Sequence, residues 1–149
     1  PSCRPIAVET EPVAVASSVD FLDDAVEVML TGHLSQRLVV FDFHPEIDDH
    51  REALEAATAR LADSPPVVVE TLADVLSRGR SLPTPPAYVG DNDELALLIY
   101  TSGSTGAPKG AMYQRRMVMN SWRRSSMAMW GGGGEALPSI TLNFMPMST

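Results

Sequence analysis

Leu95-Ala96-Leu97-Leu98-Ile99-Tyr100-Thr101-Ser102-Gly103-Ser104-Thr105-Gly106-Ala107-Pro108-Lys109-Gly110 decides how this chain is read. It opens with an uninterrupted apolar run, Leu95 to Ile99, the pattern of a buried β-strand. The character then changes. Hydroxyl side chains stand at Thr101, Ser102, Ser104 and Thr105, glycines at Gly103, Gly106 and Gly110, and a cation at Lys109. Glycines let a backbone turn sharply and approach a ligand closely. Successive N–H groups in such a turn form an anion-binding concavity. The hydroxyls add donors, and Lys109 adds a point charge suited to phosphate. A strand followed by a loop that holds a polyphosphate, with ATP as its source, is the prediction.

Two common phosphate loops are excluded by register. A Walker A loop needs Gly-Lys followed by Ser or Thr, whereas Lys109 lies between Pro108 and Gly110. Gly103 and Gly106 do not make the G-x-G-x-x-G of a dinucleotide fold. A Gly/Ser/Thr-rich turn with no ligand is the plain alternative.

Upstream, short apolar runs alternate with helical stripes. Val13-Ala14-Val15-Ala16 predicts a strand, and Ser17, Ser18 and Asp20 offer N-cap chemistry to a helix. Leu22, Ala25, Val26, Met29 and Leu30 share that helix's apolar stripe, with Gly32 as its stop. Residues Arg37 to Phe43 predict a second strand, broken by Pro45. Asp48 and Asp49 suit the start of a helix with Leu54, Ala57 and Leu61 inward, ended by Pro65-Pro66. Val67-Val68-Val69 predicts a third strand, and Leu72, Val75 and Leu76 a short helix ending at Gly79. The order β-α-β-α-β-α-β predicts an α/β fold, a parallel sheet with crossover helices. The phosphate loop would then lie at the carboxyl end of the fourth strand, where such sheets bind ligands. Residues 1–81 form the β/α/β/α portion, 82–94 a Pro-rich connection, and 95–149 the phosphate-loop strand, a basic helix and a following strand of the same domain.

Beyond the loop, Met112 to Trp130 is read as mostly helix, with Val118, Trp122 and Met129 on a buried side. Arg115, Arg116, Arg123 and Arg124 make it basic. They form either a solvated face or a means of reaching a nucleotide or carrier domain. Methionines at 112, 117, 119, 127 and 129 suit core packing or an adaptable apolar wall. Gly131 to Gly134 reads as a flexible connector and Ile140 to Phe144 as a strand ended by Pro146. His44, Glu46, Asp48, Asp49 and His50 resemble a metal set in composition, but the spacing defines no ligand geometry and no metal site is assigned. His33 falls at a helix end, where the dipole favours a cation.

The chain has 149 residues and a net charge of −8. Residues 1–94 carry 6 basic and 18 acidic side chains, and residues 95–149 carry 5 basic and 1 acidic. The acidic part argues against a nucleic-acid partner. The basic part coincides with the loop, which suits an anionic ligand. One cysteine, Cys3, excludes an internal disulfide and fits a reducing, cytoplasmic setting. No run reaches the length of a membrane span.

The string Thr101-Ser102-Gly103-Ser104-Thr105-Gly106-Ala107-Pro108-Lys109-Gly110 resembles the signature of the adenylate-forming, AMP-binding superfamily. The flanks, LALLIYTSGSTGAPKGAMY at 95–113, Asn120-Ser121-Trp122 and Leu142 to Ser148, are most similar to the adenylation domain of carboxylic acid reductases and to mycobacterial-type fatty-acid-CoA ligases. Leu38-Val39-Val40-Phe41-Asp42 and Val69-Glu70-Thr71-Leu72 extend that similarity upstream. The resemblance implies part of the large N-terminal subdomain of a longer enzyme. It implies activation of a carboxylic acid by ATP and Mg²⁺ to an acyl-adenylate and transfer to a thiol. That thiol is a carrier phosphopantetheine followed by NADPH reduction in the reductases, or coenzyme A in the ligases. It also implies phosphate contacts from Thr101, Ser102, Gly103, Ser104, Thr105, Gly106 and Lys109, with no residue here assigned as a catalytic acid, base or nucleophile. Thr149 stands where the family has a histidine after Phe-Met-Pro-Met-Ser, either as a substitution or because the sequence is cut there, so the role of that histidine is not carried over. The family's later motifs, its carrier serine and its reductase domain are absent, so the isolated chain is expected to be inactive. Alternatives are a fatty-acid-CoA ligase and a non-catalytic nucleotide-binding fragment. A P-loop NTPase conflicts with the register.

Overall fold

A computed structural model describes the backbone of residues 3–102 and 108–130. The chain divides into two compact units, Pro1–Ala87 and Tyr88–Thr149.

The first unit is a three-layer α/β arrangement. Strands β1 (Ala14–Ser18), β2 (Arg37–Phe41) and β3 (Val68–Thr71) pair in parallel in the order β1-β2-β3. The expected strand, helix, strand alternation is realised: α2 (Leu22–Thr31) connects β1 to β2 and α3 (Asp48–Leu61) connects β2 to β3. Strand side chains alternate between faces, so Leu38 and Val40 of β2 point to one side and Val39 and Phe41 to the other. On the first side α2 supplies Leu22, Val26 and Met29, and α3 supplies Ala57 and Leu61, all buried with Leu38 and Val40. Val15 and Val69 close the same core from the sheet, with Val67 just before β3. Burying each large apolar side chain contributes about 1.5–3 kcal/mol, so this layer dominates the unit's stability. Arg60 of α3 reaches Asp23 and Glu27 of α2, each at 3.2 Å, and laces the two helices at the surface.

The second face is organised around a carboxylate. Glu70 follows Val69 on β3 and therefore points away from the core. It is only 8 % exposed. Arg37 of β2 donates to its Oε1 at 2.5 Å, and Arg78 of α4 (Leu72–Arg80) donates to both oxygens, at 2.5 and 3.1 Å. The bonds from Arg78, opposed by burial and assisted by Arg37, lower the Glu70 pKa from its ordinary 4.5 to about 2. Arg78 is shifted up by the same bonds. Helix α4 starts on a reciprocal cap. The Asp74 amide donates to Thr71 Oγ1 at 3.2 Å, and the Thr71 amide donates to Asp74 Oδ2 at 3.0 Å. The Thr71 hydroxyl also donates to Asp74 Oδ2, and these bonds hold the Asp74 pKa down.

Several local expectations are corrected. A helix α1 (Arg4–Thr10), not foreseen, precedes β1, with Pro5 in its first turn. Ser17, Ser18 and Asp20 do not cap α2 with a side chain; a 3₁₀ turn over Val19–Phe21 intervenes, and the Ser17 hydroxyl donates to the Ser18 carbonyl. Gly32 does end α2, but its φ of −107° is open to any residue. Its requirement is space. A Cβ there would sit 2.7 Å from the Val28 carbonyl oxygen and 3.3 Å from that of Arg4, where α1 crosses. Leu30 is exposed rather than inward, and α4 runs through Gly79 to Arg80.

The second unit holds a two-stranded antiparallel sheet, β4 (Leu95–Ser102) and β5 (Pro108–Gln114), followed by α5 (Arg115–Trp130). The predicted fourth parallel strand is thus a hairpin arm in a sheet separate from β1-β2-β3. A continuous apolar run fits either role; nothing in it names the pairing partner. The run is also not buried within this unit, since Leu95, Leu97 and Ile99 are exposed. Met112, read as helical, lies in β5, and Trp122 is exposed rather than inward. Among the described residues of this unit, α5 is the helix that packs on β4, and Leu95, Leu97 and Ile99 stay exposed.

Candidate functional site

Of the candidate residues, Thr101, Ser102 and Lys109 are placed, at the end of β4 and the start of β5. In its register Thr101 stands opposite Lys109, and Ser102 opposite Pro108. Gly103, Ser104, Thr105 and Gly106 fall outside the described residues, as do the Gly131–Gly134 connector, the Ile140–Phe144 run and Thr149. Residues directly opposite each other in an antiparallel pair share a face. Thr101 and Lys109 therefore project side by side, and both are exposed.

The same alternation places Ile99 with Ala111 and Leu97 with Tyr113 on that face. Leu97, Ile99 and Tyr113 line an open groove of about 560 Å³ with Met117, Val118, Ser121 and Trp122 of α5. The opposite face carries the Tyr100 and Gly110 pair. A Cβ on Gly110 would come within 3.2 Å of the Tyr100 ring and 3.1 Å of Leu98, so glycine here lets the ring lie across the neighbouring strand. On one face, then, the hairpin carries the Thr101 and Lys109 pair at its strand ends and the apolar groove nearer α5.

At the other end of the hairpin, Arg115 and Arg116 meet Tyr88, Asp93 and Glu94, which the sequence did not single out. The sequence offers Arg115 as part of a solvated arginine face or as a nucleotide contact. Instead its Nη2 donates to the Tyr88 carbonyl at 2.9 Å, and its guanidinium lies 5.2 Å from the Tyr88 ring centroid. The Tyr88 hydroxyl donates to Glu94 at 2.7 Å, which raises the tyrosine pKa, the carboxylate charge adding to the bond. Arg116 pairs with Asp93 at 3.0 Å. The available signal was charge alternation between Asp91-Asn92-Asp93-Glu94 and Arg115-Arg116 at the two strand ends.

The acidic and histidine cluster of the first unit behaves as a loop and helix start. The His44 amide donates to His50 Nδ1 at 3.0 Å, His44 Nδ1 lies 3.3 Å from Glu46, and Asp48 pairs with Arg51. Among the described residues no group of three or more such side chains is placed to hold a metal ion. No helix among them is long and apolar enough to cross a membrane.

A parallel α/β unit followed by two antiparallel strands with a Gly/Ser/Thr string between them defines the structural class to compare. The particular family follows from comparison. The AMP-binding enzyme pattern matches residues 12–149, and the chain belongs to that family. It is 60% identical over 145 residues to a carboxylic acid reductase of Mycobacterium tuberculosis, and 53% identical over 150 residues to one of Mycobacterium marinum. Each alignment covers 97% of this chain and 12% of the relative, so the chain spans about an eighth of those reductases. Among solved structures it resembles the adenylation domain of a Mycobacterium chelonae carboxylate reductase, with TM-score 0.81 and 44% identity over 98% of this chain and 22% of that one. It also resembles the adenylation domain of the Segniliparus rugosus carboxylic acid reductase, solved with AMP and a co-purified carboxylic acid. There the TM-score is 0.78 at 42% identity over 98% of this chain and 24% of that one. The α/β subdomain expected from the sequence is the one these structures share.

Proposed function

We propose that this chain supplies the phosphate-holding hairpin of an enzyme that activates a carboxylic acid with ATP, transfers it to a thiol, and reduces the thioester to an aldehyde. The observation that carries this reading is the exposed Thr101 and Lys109 pair flanking the loop, in a chain of the AMP-binding family. A hydroxyl donor and an ammonium on one face fit an anionic phosphate.

The carboxylate oxygen attacks the α-phosphorus of ATP. The bond to the bridging oxygen of the β-phosphate breaks, and pyrophosphate leaves. A thiol then displaces AMP from the acyl-adenylate. Thr101, Ser102, Gly103, Ser104, Thr105, Gly106 and Lys109 hold the β- and γ-phosphates and offset charge as pyrophosphate departs. Mg²⁺ bound with the nucleotide would shield its phosphate charge. The carrier phosphopantetheine thiol and NADPH belong to other parts of such an enzyme. A carrier thiol, rather than coenzyme A, is favoured by the similarity to the carboxylic acid reductases.

The test is carboxylate-dependent ATP–pyrophosphate exchange in the full-length protein that carries this chain. Lys109→Ala should lower exchange by on the order of 100-fold, as loss of one charge-stabilising donor does. Unchanged exchange refutes the assignment. ATP hydrolysis without any carboxylate would instead favour phosphoryl transfer to water.

A further inference from the structure

The β4–β5 hairpin has a stitched base. At the base, the segment entering β4 and the residues leaving β5 are bound to each other. The Arg115 amide donates to the Glu94 carbonyl at 2.9 Å, and the Arg116 amide to the Asn92 carbonyl at 3.0 Å. The Arg115 guanidinium donates to the Tyr88 carbonyl and covers the Tyr88 ring, whose hydroxyl holds Glu94. Gly90 runs beneath that ring. A Cβ there would meet Tyr88 at 2.3 Å and the Glu94 carboxylate at 2.5 Å. Among the described residues, Arg115 Nη1 is buried with no hydrogen-bond partner. Because Nη1 is buried, it is not offered to a ligand.

The base adjoins a register irregularity. Leu95 pairs with Gln114, but Leu97 pairs with Tyr113, so β4 carries one extra residue. Continued without that bulge, the first pairing would set Thr101 opposite Pro108. With it, Thr101 stands opposite Lys109. A one-residue slip moves every side chain to the other face. The bulge therefore decides whether hydroxyl and ammonium project together.

We propose that Arg115 is a positioning residue for nucleotide use: by clamping the Tyr88–Glu94 segment it fixes the hairpin in its bulged register and so sets Lys109 beside Thr101. At about 3.3 Å per residue the clamp lies roughly 20 Å from that pair, so it acts through the strands and not by contact. The proposal rests on the reading that Thr101 and Lys109 hold phosphate.

The test uses the full-length protein, with Lys109→Ala as reference. Arg115→Ala should raise the KM for ATP about tenfold, with the KM for the carboxylic acid unchanged. Amide exchange should quicken in β4 and β5 and stay as in wild type in the three-stranded sheet. Arg115→Lys should not restore the KM, because an ammonium lacks the planar fork that both stacks and reaches a carbonyl. Wild-type KM for ATP in Arg115→Ala, an equal rise in both KM values, or full rescue by lysine overturns the proposal. Should Arg115→Ala not fold, Tyr88→Phe removes only the hydroxyl link to Glu94. A smaller rise in the KM for ATP supports the clamp, and no rise overturns it. If Lys109→Ala exchanges pyrophosphate as wild type does, the phosphate reading fails, while the register reading is still decided by amide exchange.

Discussion

Replacing Glu70 by Gln removes the charge that organises the second face of the sheet while keeping the shape of the side chain. The consequence is a specific pH dependence. Folded Glu70 titrates at about 2, depressed from 4.5 chiefly by the bonds from Arg78 and further by Arg37. Its stabilisation is therefore fully present above pH 4.5 and is lost as pH falls through about 2. Near pH ~3.2 the unfolded side chain is almost wholly protonated and the folded one almost wholly ionised, so unfolding takes up about 0.9 proton at this residue alone. Glu70→Gln should be less stable than wild type at pH 7, because Arg37 and Arg78 lose their shared anion. The gap should narrow steadily between pH 4.5 and 2. Asp74 is present in both proteins. Its pKa is raised slightly by the charge of Glu70, so it shifts further down in the variant and opposes the effect only weakly. Urea unfolding at a series of pH values reads both stabilities, with the m-value as a check on two-state behaviour. A gap of the same size at pH 7 and at pH 2.5 would refute the reasoning, since the arginines would then be satisfied without the carboxylate charge.

Two further substitutions test the layers on either side of that network. Leu38→Ala, at a fully buried position of the central strand, should cost about 2–5 kcal/mol in chemical denaturation, whereas Val39→Ala on the half-buried opposite face should cost clearly less. Gly32→Ala should cost about 1–3 kcal/mol by overpacking, because the new methyl would press on the Val28 and Arg4 carbonyls. It should also loosen α1, seen as faster amide exchange at Ala7 and Glu11, whose amides bond to the Cys3 and Ala7 carbonyls.

The first unit was legible because its signals are local. Leu22, Val26 and Met29 recur at helical spacing, and Arg37 to Phe41 is an apolar run closed by Pro45, so each element declares itself without its neighbours. Long-range polar partnership was not legible. Glu70 is one acid among many until the sheet brings Arg37 beside it and α4 brings Arg78 across it. Strand β5 was missed for a related reason. Lys109-Gly110-Ala111-Met112 has weak strand propensity by itself, and its extended form depends on β4, including the Tyr100 ring that lies across Gly110. Helix α1 was missed because its single buried residue, Ala7, gives no stripe to read.

The same distinction applies to the candidate site. The loop's chemistry is written in consecutive residues, so its hydroxyls, glycines and lysine were found from the string alone. Their relative placement is not written there. Whether Lys109 faces Thr101 or lies one residue out of step depends on a bulge at the far end of the strands, next to an arginine, a tyrosine and a glycine that carry no phosphate chemistry. A motif search finds which groups are available to a nucleotide. The pairing of the two strands decides which of them point the same way, and substitutions at the hairpin base are therefore as informative about this site as substitutions at its tip.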